Sequence, residues 1–217
     1  PMILHVLNKA KESKVGEAFV ATPDKKIFDI VNNNGGTAIL TKKNHLSGSD
    51  RIYEAYSEKI KNNFDLIINL QGDMPNTNPN KINKLEKLMK DNNCDIGTLA
   101  SPIKDDNELI DSNVVKVQVD QALKDDSFLE AKDFFRKKKD LFNDKTYHHL
   151  GLYIFTKDAL TRYVKLTRSK LEIERNLEQM RAMQNNMIIK VGLTYSMPLR
   201  VDTKEDLKKV KNEMEKK

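Results

Sequence analysis

The amino-acid sequence predicts an open, mostly parallel α/β sheet with helices on both faces, and three observations carry that prediction. Strand-like and helix-like segments alternate over the first hundred residues. The helical segments carry an apolar stripe on one face only. After residue 100 the alternation loosens into what reads as a smaller insertion or dimerisation subregion.

The elements follow in order. Ile3, Leu4 and Leu7 recur at helical spacing, and "EAFVAT" (17–22) is a short β-rich strand. "DKKIFDIVNNNGG" places Ile27, Phe28 and Val31 on one helical face and stops at paired glycines, a common helix end. "TAILT" (37–41) is a strand, and 49–61 puts Ile52, Tyr53, Tyr56 and Ile60 on the stripe of a helix with a wet outer face. A strand over 64–70 comes next, and Pro79 suits the first turn of a helix with stripe Ile82, Leu85, Leu88 and Met89. "DIGTLASPI" is strand again. Farther on, "NVVKVQVD" and "HHLGLYIFT" read as strands, while 124–145 is charged and poorly patterned. The stretch 169–186 reads as one helix with Ile173, Leu177, Met180 and Met183 inward. "MIIKVGL" is a strand, and Thr203 with Glu205 and Asp206 opens a last helix through its hydroxyl and acidic first turn.

At 217 residues the chain is long enough to bury a sizeable core. Its one cysteine, Cys94, excludes an intrachain disulfide and, with no apolar leader, points to a reducing, cytoplasmic setting. No apolar run approaches the roughly 20 residues of a membrane span. The net charge of +6 suits a polyanion, but lysines are spread over nearly every helical segment and cluster only briefly, as at Lys137 to Lys139. Aromatics do not interleave with them, which argues against nucleic acid as a partner.

In an open parallel sheet, ligands gather beyond the carboxyl ends of the strands. The stretch "LIINLQGDMP" (66–75) delivers Asp73 to such an end, and "HLSGSDR" (45–51) and "RVDTKED" (200–206) follow other strand-like segments. Asp73 and Asp202 therefore form a candidate pair for one divalent ion, since Mg²⁺ favours one or two carboxylates plus phosphate oxygens. On pattern alone the plainer readings lead: Asp beside Gly is a common turn residue, and Asp before Thr a common helix-start residue. His5, His45, His148 and His149 lack the spacing of zinc ligands. No nucleophile elbow, Walker loop or Gly-x-Gly-x-x-Gly fingerprint occurs, which lowers the standing of hydrolase, P-loop and dinucleotide readings.

Taken in order, "PMILHVLNKAKES", "GGTAILTKKNHLSGSDRIYEA", "IINLQGDMP", "NVVKVQVD", "HHLGLYIF", "LEIERNLEQMRAM" and "VDTKEDLKKV" resemble the 3-deoxy-manno-octulosonate (Kdo) cytidylyltransferases over nearly the whole chain. The resemblance implies a nucleotidyltransferase-type sheet in a single domain over 1–217, with sugar-binding and dimerisation elements within roughly 113–190. It implies transfer of CMP from CTP to the anomeric hydroxyl of Kdo for lipopolysaccharide synthesis, in a cytoplasmic homodimer using Mg²⁺. Asp73 and Asp202 match the metal ligands of that family. Ser47, Arg51, Gln71 and Gly72 match its nucleotide pocket, and His149, Tyr153, Glu178 and Gln179 match positions that hold the sugar acid.

The departures carry expectations of their own. The family's N-terminal strand and basic phosphate loop would precede "PMI", so the chain is expected to be N-terminally truncated, less stable and weakly active or inactive. Met74 stands where the family has Glu, and Lys204 where it has Pro. "FLEAKDFF" stands for an aromatic-rich segment, and Glu130 aligns with a sugar-contacting Arg, which leaves open another acidic sugar such as an amino-Kdo or a sialic acid. A non-catalytic nucleotide-binding or subunit-interaction role is the third possibility.

Overall fold

The computed structural model describes residues 1–60, 64–137 and 144–215. In chain order the elements are α1 (Met2–Ser13), β1 (Val20–Thr22), α2 (Lys25–Asn33), β2 (Ala38–Leu40), α3 (Gly48–Glu54), β3 (Leu66–Asn69), α4 (Pro79–Asp91), β4 (Ile96–Pro102) and α5 (Asp106–Ile110). They continue with β5 (Lys116–Val119), β6 (Phe128–Phe135), β7 (Thr146–Thr156), α6 (Lys157–Tyr163), α7 (Lys170–Arg175), α8 (Gln179–Gln184), β8 (Ile189–Leu193) and α9 (Lys204–Glu215). The chain divides into two compact units. One comprises Pro1–Asn63, Asn69–Lys84 and Met197–Lys217; the other comprises Phe64–Ile68 and Leu85–Ser196.

In the first unit, β1 and β2 pair in parallel, Val20 opposite Ala38. Leu7, Val20 and Val31 are buried together, with Ile3, Leu4, Ile27 and Ala38 packed on them, so the stripes read from the sequence are the ones that face inward. Asp24 opens α2 by accepting from the backbone N–H of Lys26 at 2.7 Å and of Ile27 at 3.3 Å. Past its end, Gly36 runs so close to Leu7 and Val31 that a Cβ there would lie 2.6 to 2.7 Å from their side chains. After α3 the helix widens into a π-helical turn, Ala55–Lys59, and this shift buries Glu54 while Ile52, Tyr53 and Tyr56 stay half-buried. At α9, Thr203 Oγ1 accepts from Asp206 N–H at 3.1 Å and Asp206 Oδ2 accepts from Thr203 N–H at 3.0 Å. This reciprocal cap leaves Asp202 outside it.

The second unit carries a sheet in the order β3-β7-β4-β8-β6-β5, with β5 also pairing the first part of β7. Ile96 to Ser101 are all buried, as expected of a strand covered on both faces. The α/β class holds, but the sheet is mixed rather than mostly parallel. β8 is parallel to β4, whereas β7 runs antiparallel to β4 and β5, and β6 antiparallel to β5 and β8. For β5 and β6 the cause is the short 120–127 connection, which can only return the chain as a hairpin. Two further expectations change. The stretch 124–145 contains β6, with 138–143 outside the described residues. The stretch 169–186 is two helices, because Asn176 takes a left-handed conformation (φ 51°) that ends α7 and leaves Ile173 60% exposed. Among the described residues no helix is long and apolar enough to cross a membrane.

A bulge in β7 fixes the one irregularity of the central ladder. Thr98 lies opposite Tyr153 but Leu99 opposite Leu150, so Gly151 and Leu152 have no counterpart on β4. The Thr98 hydroxyl sits 3.0 Å from the Leu150 carbonyl, 2.8 Å from that of Leu152 and 3.0 Å from His149 Nε2. Thr98→Val keeps the shape and removes the hydroxyl donor that these two carbonyls share. We expect it to cost about 1–3 kcal/mol in urea unfolding. A loss below a few tenths would show that the hydroxyl does not hold the bulge.

Candidate active site

Each unit assembles its own set of the residues singled out by the sequence. In the first unit, Ser47 caps α3, its hydroxyl donating to Asp50 Oδ2 at 2.7 Å and accepting from Asp50 N–H at 3.2 Å. Behind it, Gly48 is pressed on the end of β3, where a Cβ would meet Asn69 Nδ2 at 3.3 Å and Gln71 Nε2 at 3.4 Å. Gln71 donates to Asn69 Oδ1 at 3.2 Å, and Asn69 reaches Ser49 Oγ at 3.5 Å. The "HLSGSDR" segment and the "NLQG" turn, distant in sequence, are therefore one cluster. Gly72 is exposed within it.

Arg51 does not stand free to greet a ligand: Nη1 donates to Thr41 Oγ1 at 2.7 Å and to the Lys42 carbonyl at 2.9 Å. Glu54, one turn on, was not singled out by sequence reasoning. Its two oxygens accept from Lys42 N–H at 3.1 and 3.2 Å, and Oε2 pairs with His45 Nε2. Burial alone would push the Glu54 carboxyl up, but the hydrogen bonds from His45 and Lys42 and their charges hold it below its ordinary range. Arg51 and Glu54 thus tie the 41–45 backbone to α3 from two sides. Glu54→Ala should raise KM for the nucleotide that the resemblance implies by about ten- to hundredfold with a smaller change in kcat. An unchanged KM would show that the loop needs no such tether.

Asp73 and Asp202 approach each other, with Arg200 between them. Arg200 donates to Asp73 Oδ2 from Nε at 3.0 Å and Nη2 at 2.8 Å, and Nη2 lies 3.6 Å from Asp202 Oδ1. Val201 N–H donates to the Asp73 carbonyl at 3.0 Å, which pins the two turns together. Asp73 Oδ1 is buried with no hydrogen-bond partner. A turn aspartate bonds its own backbone and a helix-start aspartate caps its helix; neither Asp73 nor Asp202 is engaged in that way, so the plainer readings lose their support. Among the described residues no cluster of three or more His, Cys, Asp or Glu gathers as a metal cage. The donor set is two oxygen-bearing carboxylates, which suits a hard divalent ion completed by water and phosphate oxygens. The neighbouring Met74 is 1% exposed; a Glu there would be desolvated.

The second unit groups the other four residues. His149 packs edge-on to Phe134 at 5.1 Å between ring centroids and lies 5.3 Å from Tyr153. Tyr153 is buried, and burial first and the nearby Glu178 carboxylate second push its hydroxyl well above the ordinary range. Glu178 precedes α8, its carbonyl accepting from Tyr163 OH at 3.0 Å, and Gln179 is buried at the first position of that helix. Glu172 organises this corner. It accepts from Arg181 Nη2 at 2.7 Å and Nε at 2.9 Å and from Arg168 Nε at 3.0 Å, and Arg181 stacks 4.6 Å over the Tyr163 ring. Sequence reading missed Glu172 and Arg181 because they look like any charged pair on a wet helix. Glu130 is exposed on β6 and ion-paired with Lys132 at 3.3 Å. The arginine at the end of the same strand is Arg136, which donates to the Ser112 carbonyl at 3.0 Å and to that of Asn176 at 3.5 Å, just before Leu177 and Glu178.

Comparison with known proteins identifies the family. A family model described as cytidylyltransferase matches residues 1–190. The 3-deoxy-manno-octulosonate cytidylyltransferase of Brucella anthropi is 41% identical over 208 residues, covering 95% of this chain and 83% of the relative. That of Bartonella bacilliformis is 39% identical over 212 residues, 97% of this chain and 86% of the relative. Among solved structures, CMP:2-keto-3-deoxy-manno-octonic acid synthetase complexed with CTP superposes with a TM-score of 0.89 at 32% identity, covering 100% of this chain and 88% of its own. A UDP-glucose pyrophosphorylase superposes at 0.71 with 13% identity, covering 100% of this chain and 87% of its own, a likeness of fold alone. With a matching family model over most of its length and relatives near 40% identity across almost all of it, the chain belongs to the 3-deoxy-manno-octulosonate cytidylyltransferase family.

Proposed function

We propose that the chain transfers CMP from CTP to the anomeric hydroxyl of Kdo, releasing pyrophosphate. The observation that carries the reading is the Asp73 and Asp202 pair, with one buried oxygen of Asp73 left unpartnered in a chain whose relatives are named for this reaction. The hydroxyl oxygen forms a bond to the α-phosphorus and loses its proton. The bond from that phosphorus to the β-phosphate breaks, and pyrophosphate leaves with the electron pair.

In this reading Asp73 and Asp202 hold a divalent ion, Mg²⁺ by the hardness of the donors. When bound, the ion compensates phosphate charge and lowers the pKa of the sugar hydroxyl. Ser47, Arg51, Gln71 and Gly72 form the nucleotide side, where Arg51 works by holding the loop backbone in place. His149, Tyr153, Glu178 and Gln179 form the sugar-acid side. Glu130 offers no ground for preferring another sugar, since its charge is spent on Lys132 in solvent. A homodimer belongs to the same reading and predicts twice the 25.0 kDa chain mass in sedimentation. So does a cytoplasmic setting, supported by a single buried thiol, Cys94, that burial pushes up to about 11.

The test is pyrophosphate release by the full product of the reading frame containing this chain, with CTP, Mg²⁺ and a panel of Kdo, amino-Kdo and sialic acid. Release that requires Kdo and CTP, with kcat/KM for Kdo at least about tenfold above the other sugars, is expected. Preference for another sugar overturns Kdo. No release with any of them overturns the catalytic reading.

A further inference from the structure

Among the described residues, the cation that meets the paired aspartates is Arg200. Arg200 spends two donors on a single oxygen, Asp73 Oδ2, and leans a third contact of 3.6 Å on Asp202, while Asp73 Oδ1 receives nothing. A guanidinium cannot serve all the carboxylate oxygens from this position, because its donors lie in one plane. Its single charge also leaves the two carboxylates under-compensated. The Arg200 side chain is 56% exposed, so nothing buries it in place, whereas its partner Asp73 is 24% exposed. The attachment that holds the two turns together, from Val201 N–H to the Asp73 carbonyl, is backbone to backbone and does not depend on Arg200.

We propose that Arg200 is an exchangeable counter-ion of the aspartate pair. It partly compensates Asp73 and Asp202 in the metal-free protein, and a divalent ion must displace it to bind. The proposal rests on the reading that these two aspartates are the metal ligands. It follows that the protein binds a divalent ion more weakly than its two carboxylates alone would, and that chelation leaves the wild-type turns with one net negative charge rather than two bare ones.

Mn²⁺ titration followed by the loss of its free-ion spin-resonance signal, in the absence of nucleotide, tests this directly. Arg200→Ala should bind Mn²⁺ about three- to tenfold more tightly than wild type, and Arg200→Lys should fall between them, since a lysine keeps the charge without the fork. Tm should also rise more on adding Mn²⁺ in Arg200→Ala than in wild type, a measure of metal linkage independent of turnover. Asp73→Asn should abolish the tight site in both backgrounds. If Asp73→Asn abolishes binding while Arg200→Ala binds Mn²⁺ equally or less tightly, the exchange is wrong and the ligand assignment stands. If Asp73→Asn binds as wild type does, the ligand assignment fails and the exchange falls with it. Arg200→Gln, which keeps a polar side chain of similar reach, gives the same comparison if Arg200→Ala does not fold.

Discussion

Asp73→Asn lowers kcat for CMP transfer by about a thousandfold or more while leaving the fold almost as stable as before. Both halves of that expectation come from the same geometry. The carboxylate is one of two that face each other, and the neutral amide cannot compensate a divalent charge. Structurally little is lost. The Asp73 carbonyl still accepts from Val201 N–H, and the amide oxygen can still accept from Arg200. The pair with Arg200 is half in solvent, and such pairs contribute about 0–1 kcal/mol. Asp202→Asn should behave in the same way for a sharper reason: Thr203 and Asp206 cap α9 with their own side chains, so the Asp202 carboxylate has no part in that cap. Steady-state kinetics beside a thermal melt reads both quantities. Retained activity in either variant would remove that aspartate from the metal site.

Glu172→Ala has the opposite signature, a large loss of stability. Glu172 and Arg181 are each 2% exposed, and removing the acid takes away the carboxylate that accepts from both Nε and Nη2 of a guanidinium buried over Tyr163. Breaking such a pair from one side costs about 3–5 kcal/mol, which in a chain of this size lowers Tm by about 6–20 °C. Replacing both residues by methionine should recover much of the loss, because it removes the buried guanidinium charge as well. The pH dependence has a defined sign. Burial would raise the Glu172 carboxyl, but hydrogen bonds and charges from Arg181 and Arg168 outweigh it and hold it below its ordinary range. The stabilisation is therefore complete above the ordinary Glu pKa of about 4.3 and disappears as pH falls through the lower folded value. A melt series from neutral to acid should show wild type converging on the variant at low pH; a gap that persists undiminished there would contradict the pair's role.

Much of the fold was legible because single elements obeyed single periods. The stripes of α2 and α4 and the buried run of β4 need no tertiary information. β6 was missed for a physical reason. Its buried residues fall at Phe128, Ala131, Phe134 and Phe135, and a register shift opposite Gln118 and Val119 breaks the period of two that a strand would show. The helix read through 169–186 was cut by one asparagine whose left-handed backbone no hydrophobic pattern announces. The antiparallel pairing of β5 and β6 followed from a hairpin hidden in the charged stretch.

The site was legible in its acids and not in what surrounds them. Asp73 and Asp202 stood out as carboxylates at strand ends, but Arg200, 127 residues from Asp73, has meaning only once the two turns meet. Glu54 likewise looked like a solvated helix residue until the π-helical turn placed it against the Lys42 backbone N–H and the His45 ring. In both cases the sequence held the residue, and only the packing assigned its partner.

The most direct measurement is the identity of the product. Phosphorus NMR of the full protein with CTP, Mg²⁺ and Kdo should show the three CTP resonances giving way to pyrophosphate and a single monophosphodiester signal in equal amounts, with no change when Kdo is omitted. CTP that stays intact, or that is consumed to CMP and pyrophosphate without Kdo, would contradict the assignment of CMP transfer to this sugar acid.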